Sequence, residues 1–332
     1  MLIRITPMFN LSVVGLVLIS VMFVVDIEAQ APADPTIAIT TNGADSNIWL
    51  IDADGANERG LLHVGGQQPI GLVWSPDGTK LAFHNKIGDN VDIYVVGADG
   101  KNLKRLTDHE AEDSNPDWHP SGQKLAFQSM RDGNFEIYTM TAAGQVIENL
   151  TNDPGNDITP AWSLDARQIA FSGKRGKTLG DVFVMDSDGA NPQNITNTRS
   201  KDFDPRWAPD GKQFVFTTER NGAGDIFLMD INGENQRQIN FEPNPGFVGI
   251  DGAPVWSPDG GEVAYEVCGA GVCKIIVIDP DKPKNQLILP QPGGFNRSPA
   301  WFDPEFVVEF SVSPAGKRPM TWGWLKQVGH TQ

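Results

Sequence analysis

Trp74-Ser75-Pro76-Asp77-Gly78 returns as Trp118-His119-Pro120-Ser121-Gly122, Trp162-Ser163-Leu164-Asp165-Ala166, Trp207-Ala208-Pro209-Asp210-Gly211 and Trp256-Ser257-Pro258-Asp259-Gly260. With a further Trp at 301, the spacings are 44, 44, 45, 49 and 45 residues. A fixed period of this size marks a propeller or solenoid. Pro and Gly supply the fixed and the permissive φ that a tight connection needs. Ala166 stands where other copies carry Gly, so a different turn is expected in that copy.

Outward from each turn runs an apolar strand ending in an aromatic: Leu81-Ala82-Phe83, Leu125-Ala126-Phe127, Ile169-Ala170-Phe171, Phe214-Val215-Phe216 and Val263-Ala264-Tyr265. A second β-branched and aromatic run follows, as in Ile93-Tyr94-Val95-Val96 and Ile137-Tyr138-Thr139-Met140, with no helical period. Asp54-Gly55, Asp99-Gly100, Asp188-Gly189 and Asn232-Gly233 then turn the chain into a short outer strand. Four antiparallel strands per period make one blade of an all-β propeller.

This text resembles the TolB-like propeller family, whose repeats read Trp-Ser-Pro-Asp-Gly, an Ile-Ala-Phe strand and then Asp-Ile-Tyr-Val-Met-Asp. The resemblance covers residues 37 to about 302 and implies a six-bladed β-propeller that binds a protein or peptide partner. The α/β domain that precedes the propeller in full-length members has no counterpart in the text before residue 37. The N-terminal copy lacks a Trp strand and the C-terminal copy has little else, so Trp301's strand is expected to join the strand starting near Ile37. Closing the ring this way removes exposed edges. The alternative is seven blades, with a degenerate C-terminal blade drawn from residues 303–332, which otherwise pack on the propeller as a tail.

The chain has 26 Lys plus Arg against 42 Asp plus Glu, a formal charge of −16. Such a field repels phosphate backbones and anionic headgroups, so nucleic acid is not an expected partner, and it attracts basic protein surfaces. Arg4, the apolar stretch Leu11 to Val25 and Ile27-Glu28-Ala29 read as a signal peptide over residues 1–29, with 30–36 a short linker. The mature chain is then periplasmic or secreted, monomeric and without a membrane span, the alternative being an uncleaved anchor. Export favours a disulfide between the only two cysteines, Cys268 and Cys273.

Enzymatic signatures are sparse. There is no Gly-x-Ser-x-Gly elbow, and the five histidines (63, 84, 109, 119, 330) form no zinc-type pair and occupy unrelated repeat positions. His119 reads as a surface residue of its turn, and one Trp per blade reads as packing between blades. One position stands out. The residue five before each Trp is Pro69, Asp113, Asp157, Asp202, Asp251 or Asn296, and Asp204 adds a carboxylate. Placed in the inter-blade links, these form an acidic arc at one channel mouth, faced by Lys86, Arg131, Lys174, Arg175, Lys177 and Arg220 from neighbouring hairpins. The bland reading is that they cap turns.

Crowded carboxylates stay ionised together only when a cation compensates them. The expected occupant is a partner's basic side chain. Calcium on Asp113, Asp157, Asp202 and Asp251 is the alternative, since it needs six to eight oxygens at short range; no other cofactor is expected. The link Phe241–Gly252, with Pro243, Pro245, Phe247 and Val248, could add apolar contact there. The function expected is a non-catalytic scaffold. A carbohydrate-active or metal-dependent enzyme using the same channel face is the second hypothesis.

Overall fold

A computed structural model describes residues 29–41, 47–64, 69–176, 178–222, 224–240, 250–269, 272–290 and 296–306. The signal-peptide reading, the link 241–249 and the tail beyond 306 lie outside them. The described residues form six four-stranded antiparallel sheets and one short 3-10 turn, Pro304–Phe306. In the blade of Trp162 the strands run from the axis outward as Asp157–Trp162, Gln168–Gly173, Asp181–Asp186 and Gln193–Asn194.

Both faces of a blade are buried, which is why its middle strands read as continuous apolar runs. Side chains alternate across a strand. Ile169 and Phe171 therefore pack toward Ala126 and Ile137 of the preceding blade, while Ala170 faces Phe214 and Phe216 of the next. The bulky aromatic on one side and the small Ala on the other let neighbouring blades interdigitate. Burying each such Phe contributes about 2 kcal/mol. The Trp residues belong to these inter-blade clusters: Trp118 packs on Ala82, Ile93 and Val95, and Trp162 on Ala126 and Ile137.

The ring closes as the repeat implied. Asn296–Phe302 pairs with Thr36–Thr41, opposing Trp301 to Ile37 and Ala300 to Ala38. The last Trp strand thus completes the blade begun by the first residues of the repeat.

The expected change of turn at Ala166 does not occur. Ala166 keeps φ +61, beside +66 to +75 for Gly78, Gly122, Gly211 and Gly260. Its amide donates to the Ser163 carbonyl at 2.9 Å, as Gly78 does to Ser75 at 2.8 Å. Ser163 Oγ on Asp165 and the Arg167 amide on the same carboxylate hold the turn, as Ser75, Asp77 and Thr79 do in the first copy. Local side-chain bonds override the missing glycine. In the Trp118 copy, half-buried His119 takes the serine's part: its Nδ1 meets Ser121 Oγ and accepts the Ser121 amide, and its ring lies edge-on to Trp162.

Candidate functional site

The predicted arc is built differently from its expectation. Asp113, Asp157 and Asp202 are the first residues of inner strands and are fully buried. Each is met by an arginine from the next hairpin of its own blade. Arg131 Nη2 donates to both Asp113 oxygens at 2.9 and 3.0 Å. Arg175 spans Asp157 at 3.3 and 2.6 Å, and Arg220 reaches Asp202 at 3.2 Å. Each guanidinium also lies over two blade aromatics: Phe127 and Tyr138, Phe171 and Phe183, Phe216 and Phe227.

The cations that compensate these acids are therefore internal, supplied by basic residues the sequence had placed across the mouth. Burial still pushes Asp157 up to about 6, against the pull of Arg175. Asp251 is the second residue of Ile250–Trp256 and Asn296 the first of Asn296–Phe302; their side chains lie outside the described set.

A second repeat position organises the channel. The residue three before each Trp is Gly71, Asn115, Thr159, Asp204, Ala253 or Ser298, and all six have φ between +47 and +64. At each the ladder slips, so every inner strand carries a bulge. The freed amide turns toward the neighbouring blade.

Its acceptor in four cases is the residue just after the preceding blade's aromatic. The Asn115 amide donates to His84 Nδ1 at 3.2 Å, Thr159 to Gln128 Oε1 at 2.9 Å and Asp204 to Ser172 Oγ at 3.1 Å. Ser298 follows the same rule, donating to Glu266 Oε2 at 3.0 Å. The other two differ. The Gly71 amide uses Ser298 Oγ at 3.2 Å, and the Ala253 amide uses the Asp204 carboxylate, leaving the Thr217 hydroxyl buried with no hydrogen-bond partner among the described residues.

A cavity of about 330 Å³ lies inside this ring, with Asp117, Asp204, Glu266 and Arg206 on its wall. One oxygen of each carboxylate is tied to an inter-blade amide, Asp117 to that of Trp162 at 2.7 Å. Arg206 stands 4.0 Å from Asp117. Burial dominates the electrostatics, raising Asp117 to about 6 and shifting Asp204 and Glu266 upward against opposing arginines and amide bonds. It lowers His84 to about 4, consistent with a neutral imidazole accepting the Asn115 amide.

Of this set the sequence reading had singled out only Asp204 as a site residue. Asp117 and Arg206 immediately precede a Trp where other copies have Val or Ala, and Glu266 and His84 follow the strand aromatic. For Asp117 and Arg206 the available signal was a charged residue at an otherwise apolar repeat position, while Glu266 and His84 occupy a position that is polar in every copy. Toward the Trp-turn face the channel widens into a cavity of about 610 Å³ lined by Trp118, Trp162, Trp256, Pro120, Pro209 and Pro258, among others.

Cys268 and Cys273 oppose each other across their hairpin and are disulfide-bonded, with Cα atoms 4.1 Å apart. Among the described residues no three His, Cys, Asp or Glu side chains converge as a metal-binding group, and no helix is long and apolar enough to cross a membrane.

A family described as the TolB beta propeller domain matches residues 69–153 and 145–246. The Tol-Pal system protein TolB of Thioalkalivibrio sulfidiphilus is 35% identical over 81 residues, 24% of this chain and 18% of that protein. Most of that relative's length thus lies outside the match. TolB from Acinetobacter baumannii superposes with a TM-score of 0.71 at 21% identity, over 82% of this chain and 68% of that one. Kuenenia stuttgartiensis hydrazine synthase gives 0.65 at 14% identity, over 86% and 49%. At those identities the structural likeness shows the fold alone, and that fold is shared with an enzyme.

Proposed function

We propose a function from one premise: this chain belongs to the TolB beta propeller domain family. The propeller is a non-catalytic binding scaffold, and its channel receives a Lys or Arg side chain from a protein or peptide partner. The relative from Thioalkalivibrio sulfidiphilus is named for the Tol-Pal system. A protein partner in an envelope assembly of that kind, met in the periplasm, is the occupant this membership favours.

The observation that carries the reading is the cost of the channel carboxylates. Asp117 is held at about 6 instead of its usual 3.8, so ionising it at neutral pH removes up to about 3 kcal/mol of stability. Asp204 and Glu266 carry penalties of the same sign, facing the same cavity. Carboxylates whose ionisation costs the fold stability mark a site whose compensation comes from outside. Among the described residues one cation, Arg206, lies on that wall against three carboxylates. A partner's ammonium or guanidinium would restore the balance with less exacting geometry than calcium needs.

In this reading Asp204 keeps its assigned role as a contact. Asp113, Asp157 and Asp202 frame the mouth through their arginines, while Asp251 and Asn296 stay as proposed mouth contacts. The test is selection of peptides from a random display library on the immobilised protein. Binders should share a basic residue and lose at least tenfold in affinity on the Asp117→Asn, Asp204→Asn, Glu266→Gln variant. These amides keep every inter-blade acceptor and remove only charge. Binders without a basic residue, or indifferent to the variant, would refute the reading.

A further inference from the structure

The Cys268–Cys273 disulfide sits in a setting that a purely structural crosslink does not require. Arg297, on the inner strand of the next blade, points its Nε at Cys273 Sγ, 3.4 Å away, and its Nη2 at Cys268 Sγ, 3.7 Å away. A neutral disulfide sulfur is a weak acceptor, whereas a thiolate accepts a charge-assisted bond from guanidinium. The arrangement therefore favours the state after the S–S bond opens over the state before it.

Two further features point the same way. The cysteines are five residues apart on directly opposed positions, so the crosslink closes a very short loop and constrains the unfolded chain little. The two sulfurs also differ in access: Cys273 is fully buried, and Cys268 is only partly buried.

We propose that this cystine is a thiol–disulfide exchange site, open to a low-molecular-weight or protein thiol. An incoming thiolate attacks Cys268 Sγ and the Cys268–Cys273 bond breaks. Its electron pair leaves on Cys273 Sγ, against Arg297. A second thiolate attacks the incoming sulfur of the mixed disulfide, releasing Cys268 thiolate and the oxidised thiol. The cystine is reduced by two electrons and two thiols are oxidised to one disulfide. Leaving-group stabilisation at Cys273 sets both the rate and the equilibrium.

The opened hairpin neighbours Glu266, which lies two residues before Cys268 and accepts the Ser298 amide beside Arg297. Exchange at the cystine thus acts on a strand that lines the channel. The inference does not depend on what the channel binds.

The experiment equilibrates the folded protein in glutathione buffers at pH 7.5, traps thiols by alkylation and reads the oxidised fraction by mass. The wild type should reduce while its circular dichroism stays native. Arg297→Gln should shift the equilibrium toward the disulfide at least tenfold, about 30 mV for a two-electron couple. Arg297→Lys should fall between them. With glutathione disulfide, Cys273→Ser should form its adduct on Cys268 at least ten times faster than Cys268→Ser forms one on Cys273. A wild-type cystine that yields to glutathione only after unfolding in urea overturns the proposal, and so does an equilibrium unchanged by Arg297→Gln in a folded variant.

Discussion

At the scale of single residues, the backbone carries two marks of strain that repeat comparison exposes. Asn57, Asn102, Asn191 and Asn235 occupy one repeat position at φ +50 to +57, a conformation Asn tolerates. Val146 holds that position in the Trp118 blade at φ +52, although a β-branched residue is a poor fit there. Val146→Asn should raise stability by about 1 kcal/mol, read as an upward shift in the urea midpoint at unchanged slope. Ala166→Gly should gain a similar amount by relieving the same conformation at +61. A loss in both variants would mean the left-handed backbone is misassigned.

His84 supplies a residue-scale test of pH. Its pKa is depressed by burial to about 4, so the native state resists the proton that the unfolded chain takes up below 6.5. Its contribution is therefore constant above about pH 6.5 and is lost as pH falls toward 4. His84→Gln installs the acceptor that Gln128 provides one blade on, without the titration. At pH 7.5 the variant should lie within about 1 kcal/mol of wild type, and at pH 5 it should gain about 2 kcal/mol relative to it. Parallel stability curves between pH 7.5 and 5 would show that His84 is not held neutral. Asp117 titrates with the opposite sign: its penalty is full above about pH 6 and relieved below it, so the comparison must be between variants and not against pH alone.

At the scale of elements, the hairpins and inner strands show what the sequence could and could not convey. The period of the Trp turns, the apolar strands and the Asp-Gly hairpins were all legible, because each reports a local conformational demand repeated in register. Ring closure was legible for the same reason: the first copy lacks the strand that the last copy supplies. The bulges were not, since Gly71, Asn115, Thr159, Asp204, Ala253 and Ser298 share a backbone conformation and no side-chain chemistry. Nor were the Asp–Arg pairs. Asp113, Asp157 and Asp202 were visible at one position and Arg131, Arg175 and Arg220 at another, but their union within one blade depends on packing over the aromatics.

That union has a stability consequence. Arg175→Ala should destabilise by about 3 kcal/mol at pH 7.5, because it strands the buried Asp157 charge. Without the arginine the aspartate's pKa, already raised to about 6, climbs further, so part of the loss returns as pH falls to 5. An exposed pair would cost under about 1 kcal/mol, and a loss that small would place Asp157 in contact with solvent.

At the scale of the whole molecule, the blades act as a ring of neighbours, each donating a bulge amide sideways around one axis. Gly189 shows how closely they are set, since a Cβ there would collide with the Leu150 carbonyl of the preceding blade. The same ring presents Asp117, Asp204 and Glu266 to the channel in surroundings that disfavour their charged forms. Stability and function should therefore part company: Asp117→Asn is expected to gain about 1 to 3 kcal/mol at pH 7.5 while weakening partner binding. A variant that loses both together would make Asp117 a structural residue.

The most direct measurement of the central claim is amide hydrogen exchange on the wild-type protein, with and without a selected basic peptide. The account predicts added protection at the bulge amides of Gly71, Asn115, Thr159, Asp204, Ala253 and Ser298, abolished in the Asp117→Asn, Asp204→Asn, Glu266→Gln variant. Protection confined to the outer strands, or equal in the variant, would contradict it.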